Sequence, residues 1–293
     1  MRNRISNLLI VCTLFLVSNT YSQEDNTISK SNIQTYTPSK LLSKGQWDIK
    51  WFNNLYTQTK FANSKGNTKT DLNGRSNFFT STIDVFTGIS EDNRFNVGAI
   101  IEIRSNTIGG RQALSVFSLT DDPATERKGI TSFAPAVKFQ PFKNVGNFSI
   151  QSAIHIPLVK NETENGVYLD QTAWIFQNRF FYDYSFENND WQLFAELNTE
   201  YNFGDEASFA NNTFVFAPGI FLSYFPNSEF TILGLAQHSQ RFGDFTQDYT
   251  ALGFGAKYQL SNILNIETIY TNFVRGTDNG LGQTFNIGLR ALF

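Results

Sequence analysis

The chain has a single cysteine among 293 residues, Cys12. It lies in an apolar run from Leu8 to Val17, behind a short basic start at Arg2 and Arg4. A run of that length is too short to span a membrane as a helix; with the small-residue exit around Thr20 to Ser22 it reads as a secretory signal peptide, residues 1–22. Val11 precedes Cys12 where a lipoprotein acylation site would have a small residue, which argues against an acylated cysteine. With the leader cut, no cysteine is left, and disulfides and thiolate metal sites are excluded. Of 23 basic residues two fall in the leader, leaving 21 against 26 acidic ones and a net charge of −5. Without a Lys/Arg cluster there is no surface for a nucleic-acid partner. After the leader no stretch approaches the roughly 18–20 apolar residues of a membrane helix, so any passage through a bilayer must be made by a closed sheet, which alone leaves no unpaired backbone edge in hydrocarbon. No repeat of solenoid or propeller period is visible.

Aromatic residues, by contrast, are plentiful: 30 Phe, 11 Tyr and 4 Trp. They suit either a large β-sandwich core or a barrel with rings facing lipid. The pattern along the chain separates the two. From Gly45 onward, stretches of two-residue periodicity recur, among them "WDIKWFNNLYTQT", "FNVGAIIEIR", "TAWIFQNRFFYDY", "WQLFAELNTEYNF" and the terminal "QTFNIGLRALF". About twelve strands result, joined by five short turns and six longer loops. This alternation is the plan of a transmembrane antiparallel up-and-down β-barrel, with both ends on the periplasmic side. A sandwich needs neither strands this long nor connections that take turns. The expected layout is a signal peptide at 1–22, a polar periplasmic segment at 23–44 and one all-β barrel at 45–293.

The faces divide as a barrel requires. Trp174, Phe176, Phe180, Tyr182, Trp191, Leu193, Leu197 and Tyr201 fall on one side. Glu102, Arg104, Lys138, Arg179, Asp183, Glu196, Glu200, Lys257, Glu267 and Arg290 fall on the other and are the expected lumen lining. A lipid-facing charge costs about 2–4 kcal/mol at mid-bilayer, so this register is strongly specified. The lining mixes acids and bases in near balance, which argues against strong ion selectivity. In "FTILGLAQHS" both faces are apolar, and the direction of His238 stays open.

The last strand places Asn286, Gly288, Ala291 and the terminal Phe293 in an order that resembles the C-terminal recognition signal of Gram-negative outer-membrane barrels. The phrases "KFQPFKNVGNFSIQSAIHIPL" and "PSKLLSKGQWDIKWFNNLY" resemble outer-membrane proteins of flavobacterial (Bacteroidota) type, with a looser similarity to transporter-like barrels of the phenol meta-cleavage pathway. The likeness to the barrel class covers residues 45–293. It implies an outer-membrane location, contact with outer-membrane lipid and the barrel assembly machinery, and porin-like passage of small solutes, apolar ones included; the leader points to Sec-type export, and a monomer is the default expectation.

Three constellations compete with a plain wall. An outer-membrane lipid hydrolase needs His and Ser on one face; His238 and Ser239 are adjacent and point apart, while His155 is four and six residues from Gln151 and Ser149 in a poor spacing for a pair. Glu196, Glu200 and Glu267 could gather calcium, yet Arg179, Lys257 and Arg290 beside them favour ion pairs. The longest loop, about 105–131, holds the apolar "RQALSVFSL" and is either a gate, with Arg111, Leu114 and Phe117 as its working residues, or a rim cap. The reading is therefore a non-enzymatic barrel without cofactor or metal, acting as a narrow pore or transporter-like channel. A closed structural or adhesion barrel is the alternative, and a lipid hydrolase comes after it.

Overall fold

A computed structural model describes residues 38–70, 74–119, 122–204, 209 and 212–293. The expected signal peptide and most of the segment at 23–44 lie outside the described residues. The elements are β1 (Trp47–Ala62), β2 (Thr68–Thr70), β3 (Ser76–Gly88), β4 (Phe95–Thr107), a 3-10 helix η1 (Ala113–Phe117), β5 (Glu126–Phe139), β6 (Phe148–Pro157), β7 (Thr163–Glu164), β8 (Val167–Tyr168), β9 (Trp174–Ser185), β10 (Trp191–Phe203), β11 (Thr213–Tyr224), β12 (Phe230–Phe242), β13 (Gln247–Gln259), β14 (Leu264–Thr277) and β15 (Asn279–Leu292). Twelve long strands pair each with its chain neighbour, all antiparallel, and β15 returns to pair with β1. The sheet is a closed twelve-stranded barrel; β2 is a short flap on β1, and β7 and β8 make a small hairpin of their own.

Period-two patterning sets the faces. In β9 and β10, Arg179 lies opposite Asn198 and Gln177 opposite Glu200, while Tyr182 lies opposite Ala195 and Phe180 opposite Leu197. The first set points inward and the second outward. The same parity runs round the ring and puts Trp47, Trp51, Trp174, Phe176, Ile220, Leu222, Leu252, Phe254, Phe285 and Ile287 outside, all exposed. Trp47, Tyr184, Trp191, Tyr224 and Tyr258 gather at the rim that carries the short turns and the last strand's end; Trp174 and Tyr201 lie toward the other rim. A strand of 13 residues runs about 43 Å at ~3.3 Å per residue, and tilted by ~40° it still exceeds the ~25 Å apolar band of such barrels.

Two details depart from the sequence pattern. Only some of the long-rim connections are long: β12 and β13 are joined by residues 243–246, and β14 and β15 by Asp278 alone, at φ 49°. And β12 runs on to Phe242, with Gln237 opposite Gly219 and Leu235 opposite Phe221 on the inner face, so His238 points outward.

The described part of the N-terminal segment is inside the ring. Residues 38–44 lie against the inner wall at the short-turn rim, where Leu42 is buried with Phe86, Ile100, Ala134, Ala136 and Ala153. Asn96 Oδ1 accepts from the Leu42 amide at 3.3 Å, Lys138 Nζ donates to the Lys40 carbonyl at 3.3 Å, and Ser149 Oγ donates to that of Pro38 at 3.4 Å. Gly88 makes room for this path, since a Cβ there would run into the carbonyl oxygens of Leu42 and Ser43. The described part of the segment is thus fastened to the inner wall rather than lying free beside it.

Candidate functional site: the lumen and its mouth

The wall charges meet in pairs. Arg290 clasps Asp48 across the β15–β1 seam, Nε to Oδ1 at 2.8 Å and Nη2 to Oδ2 at 2.6 Å. Glu267 lies between Lys257 (3.3 Å) and Lys50 (3.5 Å), and Arg179 Nε donates to Glu196 at 2.7 Å. Toward the long-loop rim, Arg104 is held by Glu102 at 2.6 Å and by Asp170 at 3.0 Å. Lys138 turns to the N-terminal segment and stands 5.3 Å over the Phe181 ring. Asp183 faces inward near the short-turn end of β9, opposite Phe194. Glu200 accepts hydrogen bonds from Gln177 (3.0 Å) and Asn198 (2.9 Å). Among the described residues no group of three or more metal-ligating side chains is assembled; the acids are spread along the wall with cations between them.

Aromatic rings share this interior. Tyr56, Phe273 and Tyr249 stack at centroid distances of 5.0 and 4.4 Å, with Phe78 beside Tyr56 at 5.8 Å. On the opposite wall Phe194 stands between Phe181 and Phe221 at 6.0 and 5.4 Å. The lumen is thus a mixed surface of ion pairs, neutral polar groups and ring faces.

The long loop does not enter it. Asn77, Phe79, Ser105 and Thr107 face outward, and these are the residues that η1 covers. Asn77 Nδ2 donates to the carbonyls of Arg111 and Gln112 at 3.2 Å each, Ser105 Oγ to that of Val116 at 2.7 Å, and Phe117 meets Phe79 edge to face at 4.8 Å. Arg111 pairs with the outward Glu126 at 2.7 Å. Leu114, Phe117 and Leu119 stay exposed, Leu119 at 98%. The proposed gate residues Arg111, Leu114 and Phe117 therefore lie on the outer wall: the polar residues of the loop find partners on outward-facing Asn and Ser, and its apolar ones continue the apolar belt.

A different loop covers the mouth. Residues 158–173 fold inward, tied by Asn106 Nδ2 to the carbonyls of Tyr168 (2.8 Å) and Leu169 (3.0 Å), by Arg127 to that of Glu162 (2.8 Å) and by Gln171 to Asn202 (3.1 Å). Tyr168 meets Phe209, which meets Phe245. Asp170, within this loop, is buried against Arg104. Its burial, with the Glu102 charge adding to it against Arg104, pushes the carboxyl up from 3.8 to about 6. Below the lid is a cavity of about 210 Å³ whose lining includes Glu102, Arg104, His155, Asp170, Glu200 and Arg241. Of these, Asp170 and Arg241 were invisible to strand patterning. One sits in a loop and the other at a strand end masked by an apolar, two-sided sequence. Asp48 and Lys50 were legible, alternating with Trp47, Ile49 and Trp51, but the eye follows the tryptophans.

The histidines are far apart in role. His155 lies in the mouth beside Gln177, 3.4 Å away. His238 meets Thr250 Oγ1 at 3.0 Å on the outer face, a hydroxyl–imidazole contact whose nearby carboxylate, Asp248, is held by Arg275 at 3.2 Å. No third group orients that imidazole among the described residues, as nucleophile activation requires. At the chain end, Asn286 and Gly288 face the lumen, Asn286 donating to the Ile269 carbonyl at 3.1 Å, and Phe293 exchanges backbone bonds with Trp47.

No protein-family model and no curated protein sequence matches the chain. Among solved structures it is similar to an outer-membrane channel from Pseudomonas putida F1, at 8% identity over 87% of this chain and 98% of that one, with a TM-score of 0.66. It is similar too to the β domain of the Bordetella autotransporter BrkA, at 11% identity over 84% and 99%, with a TM-score of 0.56. At these identities the likeness is one of fold, the closed barrel.

Proposed function

We propose that this chain is a monomeric outer-membrane channel of a Gram-negative bacterium that passes small solutes, including those with an apolar part, and is shut at rest by its own chain at both ends. The observation that carries this reading is the lumen itself. Most of its charges meet in pairs, the rings of Tyr56, Phe273, Tyr249, Phe181, Phe194 and Phe221 share the wall with neutral polar and small side chains, and two segments, 38–44 and 158–173, lie against the inner wall at its two rims. A barrel of twelve strands lies between the small barrels that side chains fill and the wide porins. Paired wall charges suit weakly selective passage. The short-turn rim, with both chain ends, is assigned to the periplasm and the long-loop rim to the outside. Export by the Sec route and insertion by the barrel assembly machinery through Asn286, Gly288 and Phe293 belong to the same proposal.

The test is single-channel recording in planar bilayers, with folding checked by heat-modifiable migration. The expected result is small or rare currents from the full chain and steady, larger ones when residues 158–173 are replaced by a short Gly-Ser link. Silence from both folded forms would overturn the channel reading in favour of a structural barrel.

A further inference from the structure

The mouth cavity contains one charge pair that does not close. Arg241, on the inner face of β12 and only 9% exposed, donates through Nη1 to Thr213 Oγ1 at 2.6 Å, and its guanidinium lies 5.5 Å from the Phe209 ring. Its Nε has no hydrogen-bond partner, and among the described residues no carboxylate reaches it at ion-pair distance. Glu200, from β10, lines the same cavity, yet the two do not pair; Glu200 takes only neutral donors, Gln177 and Asn198. Other inward Arg residues meet carboxylates directly, Arg104 in this same cavity and Arg179 and Arg290 further along the wall.

A cation and an anion that face one cavity across a gap ask for a molecule with the opposite charges at its two ends. The size agrees. About 210 Å³ exceeds the roughly 150 Å³ of a cavity that takes up benzene, room for a small organic molecule. Much of the rest of the lining is polar, with Thr131, Ser132, His155, Gln171 and Gln177, and two further features bear on a ligand. Arg104 between Glu102 and Asp170 adds one uncompensated negative charge, which favours a ligand's cationic end. Pro157, Tyr168, Ala173, Ile175 and Phe209 offer apolar and ring surface for a side group.

We infer that this cavity is a binding site for a small zwitterion with an apolar or aromatic side group, its carboxylate on Arg241 and its ammonium on Glu200. As a statement about what the channel admits it rests on the proposed function, but binding is measured separately from passage.

The experiment is equilibrium dialysis of the purified full chain in detergent against L-phenylalanine, phenylacetate and phenethylamine. Each analogue lacks one charge-assisted contact, so phenylalanine should bind about tenfold or more tightly than either. In Arg241→Gln, phenylalanine should fall to the level of phenethylamine while phenethylamine is unchanged. In Glu200→Gln it should fall to that of phenylacetate. Equal affinity for all three, or no binding of phenylalanine, overturns the inference, and the wild-type comparison decides it even where a variant fails to fold. Binding without current leaves the site and removes the channel; current without binding does the reverse.

Discussion

At the residue scale, the wall shows how a charge is kept in a barrel: it is paired, or it is placed where something else can pair it. Asp170 is the titratable case. Its carboxyl is raised from 3.8 to about 6, so the docked loop binds a proton more tightly than the free loop does. Docking of 158–173 is therefore strongest below the ordinary aspartate value and weakens as pH climbs through about 6, where Asp170 ionises beside Glu102. Amide hydrogen exchange, corrected for its intrinsic pH dependence, should show these residues better protected at pH 5 than at pH 8, and Asp170→Asn should flatten the difference. Equal protection in the wild type at both values would refute it. Such residues mark the limit of sequence reading. Glu196 or Lys257 is placed by counting in twos along a strand; Asp170 is placed by a loop whose path depends on Asn106, Arg127 and Asn202, three strands that no local pattern connects.

At the element scale, the two long loops part company. The apolar loop bearing η1, by composition either a gate or a surface loop capping the rim, lies on the outer wall with Arg111, Leu114 and Phe117. Outside a membrane barrel apolar side chains are at home, and Asn77 and Ser105 supply the polar anchors. The loop at 158–173 is polar and therefore suits a wet, charged mouth. Removing residues 112–119 should leave conductance unchanged. Gly88→Val, which blocks the path of Leu42 and Ser43 without altering an inward charge, should displace segment 38–44 and raise it; an unchanged current from folded Gly88→Val would show that this segment does not limit flow. Strand positions were legible throughout because the 2.0-residue period is enforced by two opposed solvents, lipid and lumen. Strand ends were less so, since beyond the bilayer both faces become polar. Pro218 faces out where pairing with β12 lapses between Phe216 and Gly219, which is where a missing donor is tolerated.

At the scale of the whole molecule, the ring is held by one contact unlike the others, the seam between the first and last long strands. It carries the bidentate Arg290–Asp48 pair on its inner side. Breaking one member of a buried pair costs on the order of 3 kcal/mol, so Arg290→Gln should lower the temperature at which the folded gel band is lost, and the double variant Asp48→Asn with Arg290→Gln should lie closer to wild type than Arg290→Gln alone. Additive losses would mean that the pair does not act as a unit. The seam also sets an order in time. Until β15 arrives, β1 and β14 present open edges, and the inner surface has no inside. Residues 38–44 precede β1, yet end enclosed by a ring that only the last strand completes. The segment must be laid along the sheet before the circle shuts, or be drawn in afterwards through the short-turn opening, so the barrel is born with its inner strap in the first case and acquires it in the second.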